Sequence, residues 1–172
     1  FDGLMSLVAL LRGDDGCPWD KQQTQRSMTR YVLEECYELI EAIEVGNDTE
    51  IVEELGDMIF HMAFQIHLKK ELHRVDETHV FKTVIKKLIH RHPHVFGNDK
   101  VSGAVQVADR WQEIKRQEKS KSRTSILSGV PREMPALSHA QTVQERASSI
   151  GFDWENVEGV ISKITEELEE FE

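Results

Sequence analysis

Residues 32–43 read VLEECYELIEAI and residues 51–66 read IVEELGDMIFHMAFQI; the fold is decided in these two stretches. In the first, Val32, Cys36, Leu39, Ile40 and Ile43 recur at helical spacing and form one apolar stripe. In the second, Ile51, Leu55, Met58, Ile59, Met62 and Ile66 do the same. Glu35 and Glu38, three apart, share one flank of the first stripe. Glu54 and Asp57 hold nearly the same angle beside the second, and His61 continues their column. Between the helices stand only Gly46-Asn47 and a capping residue, Asp48 or Thr49. A connection this short predicts antiparallel helices. Packed stripe to stripe, they bring four carboxylates to a common edge.

Like charges at that distance repel and raise one another's pKa unless a cation lies among them. A donor set made only of oxygen suits a hard cation. Mg²⁺ takes octahedral oxygen ligands, keeps some waters and commonly bridges to phosphates. The competing explanation is that these are solvated glutamates on helix surfaces, which is what a single Glu-x-x-Glu means. Two acidic pairs at matching angles on adjacent helices weigh against it. A further pair, Glu167-x-x-Glu170, recurs late in the chain.

Outward from this centre the sequence reads as all-α. Strand signals are nearly absent, and glycine and proline cluster between long helix-favouring segments. Residues 4–11 predict a short apolar helix, and 13–20 a loop. The first acidic helix runs from residue 24 or 27 to 45, and the second from 48 or 49 to about 72. Asp76 starts a helix that Pro93 ends near residue 92. Residues 97–103 form a loop, and 105–119 a helix. Residues 121–135 read as a polar linker. After it, a short helix over 136–149, then Gly151, Trp154 and Glu166-Glu167-x-x-Glu170 repeat the order of the first segment more tightly. Residues 1–120 are thus expected to form a catalytic domain and 136–172 the truncated start of a second copy. The chain begins with Phe1 and ends inside a helical pattern, as a fragment of a longer protein would.

The net charge of −10 excludes attraction to nucleic acid or to an anionic membrane through the overall field. Any polyanionic ligand needs a local cation. Cys17 and Cys36 form no Cys-x-x-Cys pair, no signal segment is visible, and no apolar run is long enough for a membrane span. A reducing, cytoplasmic location is expected. Neither Gly-x-Ser-x-Gly nor a Walker loop is present, so covalent and P-loop mechanisms have no foothold.

Leu33-Glu34-Glu35-x-x-Glu38 followed by Glu53-Glu54-Leu55-Gly56-Asp57 resembles the Glu-x-x-Glu plus Glu-x-x-Asp signature of MazG-type nucleoside triphosphate pyrophosphohydrolases, within the all-α NTP pyrophosphatase superfamily. Gly16-Cys17-Pro18-Trp19-Asp20-Lys21-x-x-Thr24, Arg91-His92-Pro93-His94-Val95-Phe96 and Trp111-x-x-Ile114-Lys115 are similar to that family too. The resemblance runs from about Leu4 to Lys119. It implies a helical bundle of MazG type built for dimerisation, and Mg²⁺-dependent hydrolysis of a nucleoside triphosphate to monophosphate and pyrophosphate, with Mn²⁺ as a substitute metal. Glu35, Glu38, Glu54 and Asp57 would be the metal ligands. Glu34, Glu35 and Glu38 are the catalytic candidates, with Glu34 or Glu38 orienting the attacking water.

By the same resemblance, Lys87 and Arg91 would bind phosphates. Trp111 and Lys115 would bind base or phosphate, with the indole stacking loosely on any base. Trp19 either stacks on a base or plugs its loop onto the core. His90, His92 and His94 straddle a helix end and do not share a face, so no zinc site is expected there. Phe60 and Phe64 lie away from the main stripe of their helix, and their cover is expected from a second subunit, making a homodimer. Three rivals remain. One is another all-α pyrophosphohydrolase, dUTPase-like, dCTPase-like or acting on phosphoribosyl-ATP. The second is a ferritin-like di-iron bundle, which needs Glu-x-x-His on two helices, a spacing the chain lacks. The third is a non-catalytic helical dimer module.

Overall fold

Gly46 and Asn47 set the turn between the two acidic helices. Gly46 takes φ 76°, the left-handed conformation that ends a helix at little cost in glycine. The Asn47 side chain accepts from the amides of Thr49 and Glu50. Asn47 is therefore the cap, in place of the expected Asp48 or Thr49; Asp48 is already in the helix. In the computed structural model, which describes residues 1–120 and 125–171 apart from the side chains of residues 116, 119 and 120, this turn joins α3 (Thr29–Val45) to α4 (Asp48–Glu71). The start of α3 falls later than the expected residue 24 or 27. Thr24 and Ser27 instead exchange backbone–side-chain hydrogen bonds of 2.9 and 3.1 Å, closing a separate turn.

Among the described residues every element is helical. The first compact unit, Phe1–Gly97, holds α1 (Asp2–Arg12), α2 (Pro18–Gln22), α3, α4, α5 (Glu77–Arg91) and the short α6 (Pro93–Phe96). The expected loop at 13–20 thus contains part of a helical turn, with Pro18 at its first position. Met5 and Val8 of α1, Met28, and Ala63, Phe64 and Leu68 of α4 form the core, and Leu4, Tyr31, Phe60 and Ile66 pack against it.

Phe64 is fully buried inside the chain's own core, against the expectation that a second subunit covers it. The cover comes from α1, whose apolar residues reach the side of α4 turned away from its main stripe. Part of each stripe remains open. Ile40 is 47%, Ile43 56%, Leu55 45% and Ile59 46% exposed. The Tyr31, Glu35 and Glu38 side of α3 meets the Glu54, Asp57 and His61 column of α4.

Arg12 binds this unit together. Its guanidinium pairs in a fork with Glu71 at 2.7 and 2.9 Å and lies over the Phe64 ring. It also donates to the carbonyls of Asp20 and Gln23, fixing the loop that carries Trp19. In that loop a Cβ on Gly16 would run into the carbonyls of Leu10 and Leu11, so only glycine lets the chain double back against α1.

The second compact unit, Asn98–Glu172, holds α7 (Ala104–Ser120), α8 (Ala136–Ser148) and α9 (Val157–Glu169). Arg146 donates to the carbonyls of Ile126, Ser128 and Gly129. Asn156 caps α9. Of the expected linker 121–135, residues 121–124 lie outside the described residues. No helix among the described residues is long and apolar enough to cross a membrane.

Candidate metal centre

Glu35, Glu38 and Glu54 each present a carboxylate oxygen within 4.8 Å of the other two. Two helices supply them, so the cluster exists only when the α3–α4 hairpin closes. Burial raises the Glu35 pKa, and Asp57 and Glu38 add to the rise. Burial also raises Glu54, with Glu38 and Glu35 contributing. The cluster therefore resists full ionisation while no positive charge lies within it. Asp57 is exposed one turn after Glu54, and its charge acts on Glu35 and Glu54.

His61 lies one turn further along the column and is buried. Its Nε2 is 3.4 Å from Glu35 Oε1, making Glu35 rather than Asp57 its direct partner. Burial lowers the His61 pKa, and Asp57 opposes that.

Tyr31 is a residue that the sequence reading missed. Its ring lies parallel to His61 and meets the edge of Trp19. Arg30 covers the Tyr31 ring at 4.4 Å and donates to its hydroxyl. Tyr31 is four residues before Glu35, so extending the acidic column back by one turn would have found it. Trp19 is 49% exposed.

The remaining expected site residues fall in several places. Glu34 is exposed on α3, one turn after Arg30. Lys87 and Arg91 are one turn apart on α5, Lys87 exposed and Arg91 half-buried. Trp111 and Lys115 are one turn apart on α7, both half-buried, and belong to the second compact unit. In α9, Lys163 pairs with both Glu166 and Glu167. His92 and His94 bring their rings to 5.6 Å, and His92 Nδ1 is 2.6 Å from the Leu88 carbonyl.

Residues 23–96, the stretch that carries Glu35, Glu38, Glu54 and Asp57, match the MazG nucleotide pyrophosphohydrolase domain. The chain carries a MazG domain. A Thermotoga maritima nucleoside triphosphate pyrophosphohydrolase/pyrophosphatase MazG is 44% identical over 170 residues, covering 99% of this chain and 65% of the relative. The Escherichia coli K12 nucleoside triphosphate pyrophosphohydrolase is 37% identical over 171 residues, covering 98% and 65%. This MazG chain thus spans 65% of the length of those relatives. The crystal structure of a mazG-related protein from Thermotoga maritima superimposes with a TM-score of 0.57 at 25% identity, covering 67% of this chain and 99% of that one. The all-α architecture is that of the MazG family.

Proposed function

We propose that this MazG domain hydrolyses nucleoside triphosphates to nucleoside monophosphate and pyrophosphate, with a divalent cation, Mg²⁺ or its substitute Mn²⁺, held by Glu35, Glu38, Glu54 and Asp57. The observation that carries this reading is the trio of carboxylates within 4.8 Å on two facing helices. The donor set fits such an ion: it is all oxygen, it joins two elements, and the pKa values of Glu35 and Glu54 are raised by burial first and then by the neighbouring carboxylates, which a cation would offset. Such an ion supplies positive charge to phosphate oxygens and lowers the pKa of water at the site.

The chain's own residues divide the remaining work. Glu34 or Glu38, both exposed on α3, orients the attacking water. Lys87 and Arg91 neutralise phosphate, Trp111 and Lys115 bind base or phosphate, and Trp19 either stacks on a base or plugs its loop onto the core. In a chain of net charge −10, such local cations are what a polyanionic substrate requires.

A homodimer belongs to the same reading. Leu33, Tyr37, Ile40, Leu55, Ile59 and Met62 leave apolar surface on both helices of the hairpin, and a second copy covers it. Residues 1–120 as catalytic domain and 136–172 as the start of a second repeat are supported by the order helix, glycine, tryptophan, helix in α8–α9. The free cysteines Cys17 and Cys36 are consistent with a cytoplasmic location.

The test is to incubate the chain with each common ribo- and deoxyribonucleoside triphosphate and Mg²⁺, beside a Glu38→Ala variant, and identify the products. Monophosphate with pyrophosphate, lost on chelation and in the variant, is the expected result. Diphosphate with orthophosphate refutes it.

A further inference from the structure

His61 is only 8% exposed. The Tyr31 ring stacks on it with centroids 6.1 Å apart, and Phe60 meets it at 5.5 Å. Among the described residues the one hydrogen-bond partner of the ring is Glu35, through Nε2. Nδ1 is buried and has no hydrogen-bond partner among the described residues.

These facts select the tautomer. A proton on Nδ1 would bury an unsatisfied donor and turn the bare Nε2 lone pair toward a carboxylate oxygen. A proton on Nε2 makes the bond to Glu35 and leaves only an acceptor unsatisfied, the less costly orphan. A leucine or phenylalanine would fill the slot between Tyr31 and Phe60 with no orphan at all. The imidazole is thus a costlier filler than the fold requires, and its single polar contact is a carboxylate of the cation cluster.

We propose that His61 is a positioning residue, which donates Nε2–H to Glu35 Oε1 and so holds that carboxylate where it joins Glu38 and Glu54 in one cation site. The inference rests on the reading of the cluster given under Proposed function. Glu35 needs such a hold, since it is half-buried, with oxygens of Glu38 and Glu54 within 4.8 Å and the charges of Asp57 and Glu38 acting on it. Without the bond its side chain is free to turn away from its neighbours. The cation would then have to order Glu35 on binding, and affinity would fall.

The experiment titrates the metal-free chain with Mn²⁺ alone, read by the loss of the free-ion electron paramagnetic resonance signal. It compares wild type, His61→Phe, His61→Gln and Glu38→Gln, with thermal denaturation of each in chelator. His61→Phe is expected to bind Mn²⁺ about 10–100-fold more weakly, the usual cost of losing a partner behind a metal ligand, while melting no lower than wild type. His61→Gln, whose amide nitrogen can stand where Nε2 stood, is expected to recover most of the affinity. If His61→Phe does not fold, His61→Leu takes its place. Wild-type affinity in the apolar variant overturns the inference and leaves the cation site intact. Equal loss in the apolar and Gln variants, with lower melting in both, also overturns it by showing a packing role. Absence of Mn²⁺ binding in wild type, or unchanged binding in Glu38→Gln, overturns the cation reading and this inference with it.

Discussion

Tyr31 and His61 stack with their rings 2° from parallel, one residue from each helix of the acidic hairpin. This contact fixes the register of α3 against α4. One turn further along α3, Glu35 reaches the same His61 ring, and it and Glu38 bring their carboxylates to Glu54. The clustering of the carboxylates is therefore a consequence of helix register, and the aromatic pair at one end and the capped turn at the other hold it.

The pH dependence of stability follows from the crowded carboxylates. Glu54 has a folded pKa above its ordinary value of 4.5. Between 4.5 and that raised value the folded chain binds more protons than the unfolded one, so stability falls as pH rises through this window and stays reduced above it. In chelator, Glu54→Gln should therefore melt higher than wild type at mildly alkaline pH. The gap should close below pH 4.5. Saturating Mn²⁺ should reverse the order, because only wild type gains the full ligand set. Thermal melts across pH, with and without metal, check all three outcomes.

Arg12 joins α1, α4 and the Trp19 loop through one planar group, which an ammonium cannot reproduce. Arg12→Lys should lose about 1.5–3 kcal/mol of stability, the scale of charged hydrogen bonds. Urea unfolding measures the loss. Trp19 fluorescence, isolated by replacing the other two tryptophans, should move toward that of free indole as the loop detaches.

Phe64→Ala should cost about 3–5 kcal/mol, the range for emptying a buried aromatic site. Phe64 is fully buried against α1, with the Arg12 guanidinium 5.4 Å from its ring centroid. The loss should be the same at all protein concentrations, since the cover is intramolecular. A loss that grows on dilution would place Phe64 at a subunit interface instead.

Ile59→Asp should halve the mass found by light scattering. Ile59 is 46% exposed in the single chain, between Leu55 and Met62 on the same stripe. A charge there opposes burial against a second copy. An unchanged mass would show that the open stripes are not the subunit contact.

Much of this arrangement was legible in the residues themselves. The 3.6-residue period of the two stripes, the glycine that stops α3 and the short connection specify an antiparallel helical hairpin, and the i, i+3 spacing puts each acidic pair on one flank. Those are local properties, set by backbone geometry within a few turns. Which flank meets which was not local. Both helices of the hairpin carry apolar residues on more than one side, so periodicity alone could not say whether α1 or the opposing helix covers a given face. Packing settled it: α1 took the Phe64 side of α4, the carboxylate columns came to face each other, and part of each predicted stripe stayed open. His61 shows the same division. Its place in the acidic column follows from the sequence, but its bond to Glu35 and its orphaned Nδ1 follow from burial, which depends on residues 30 positions away along the chain as much as on its neighbours.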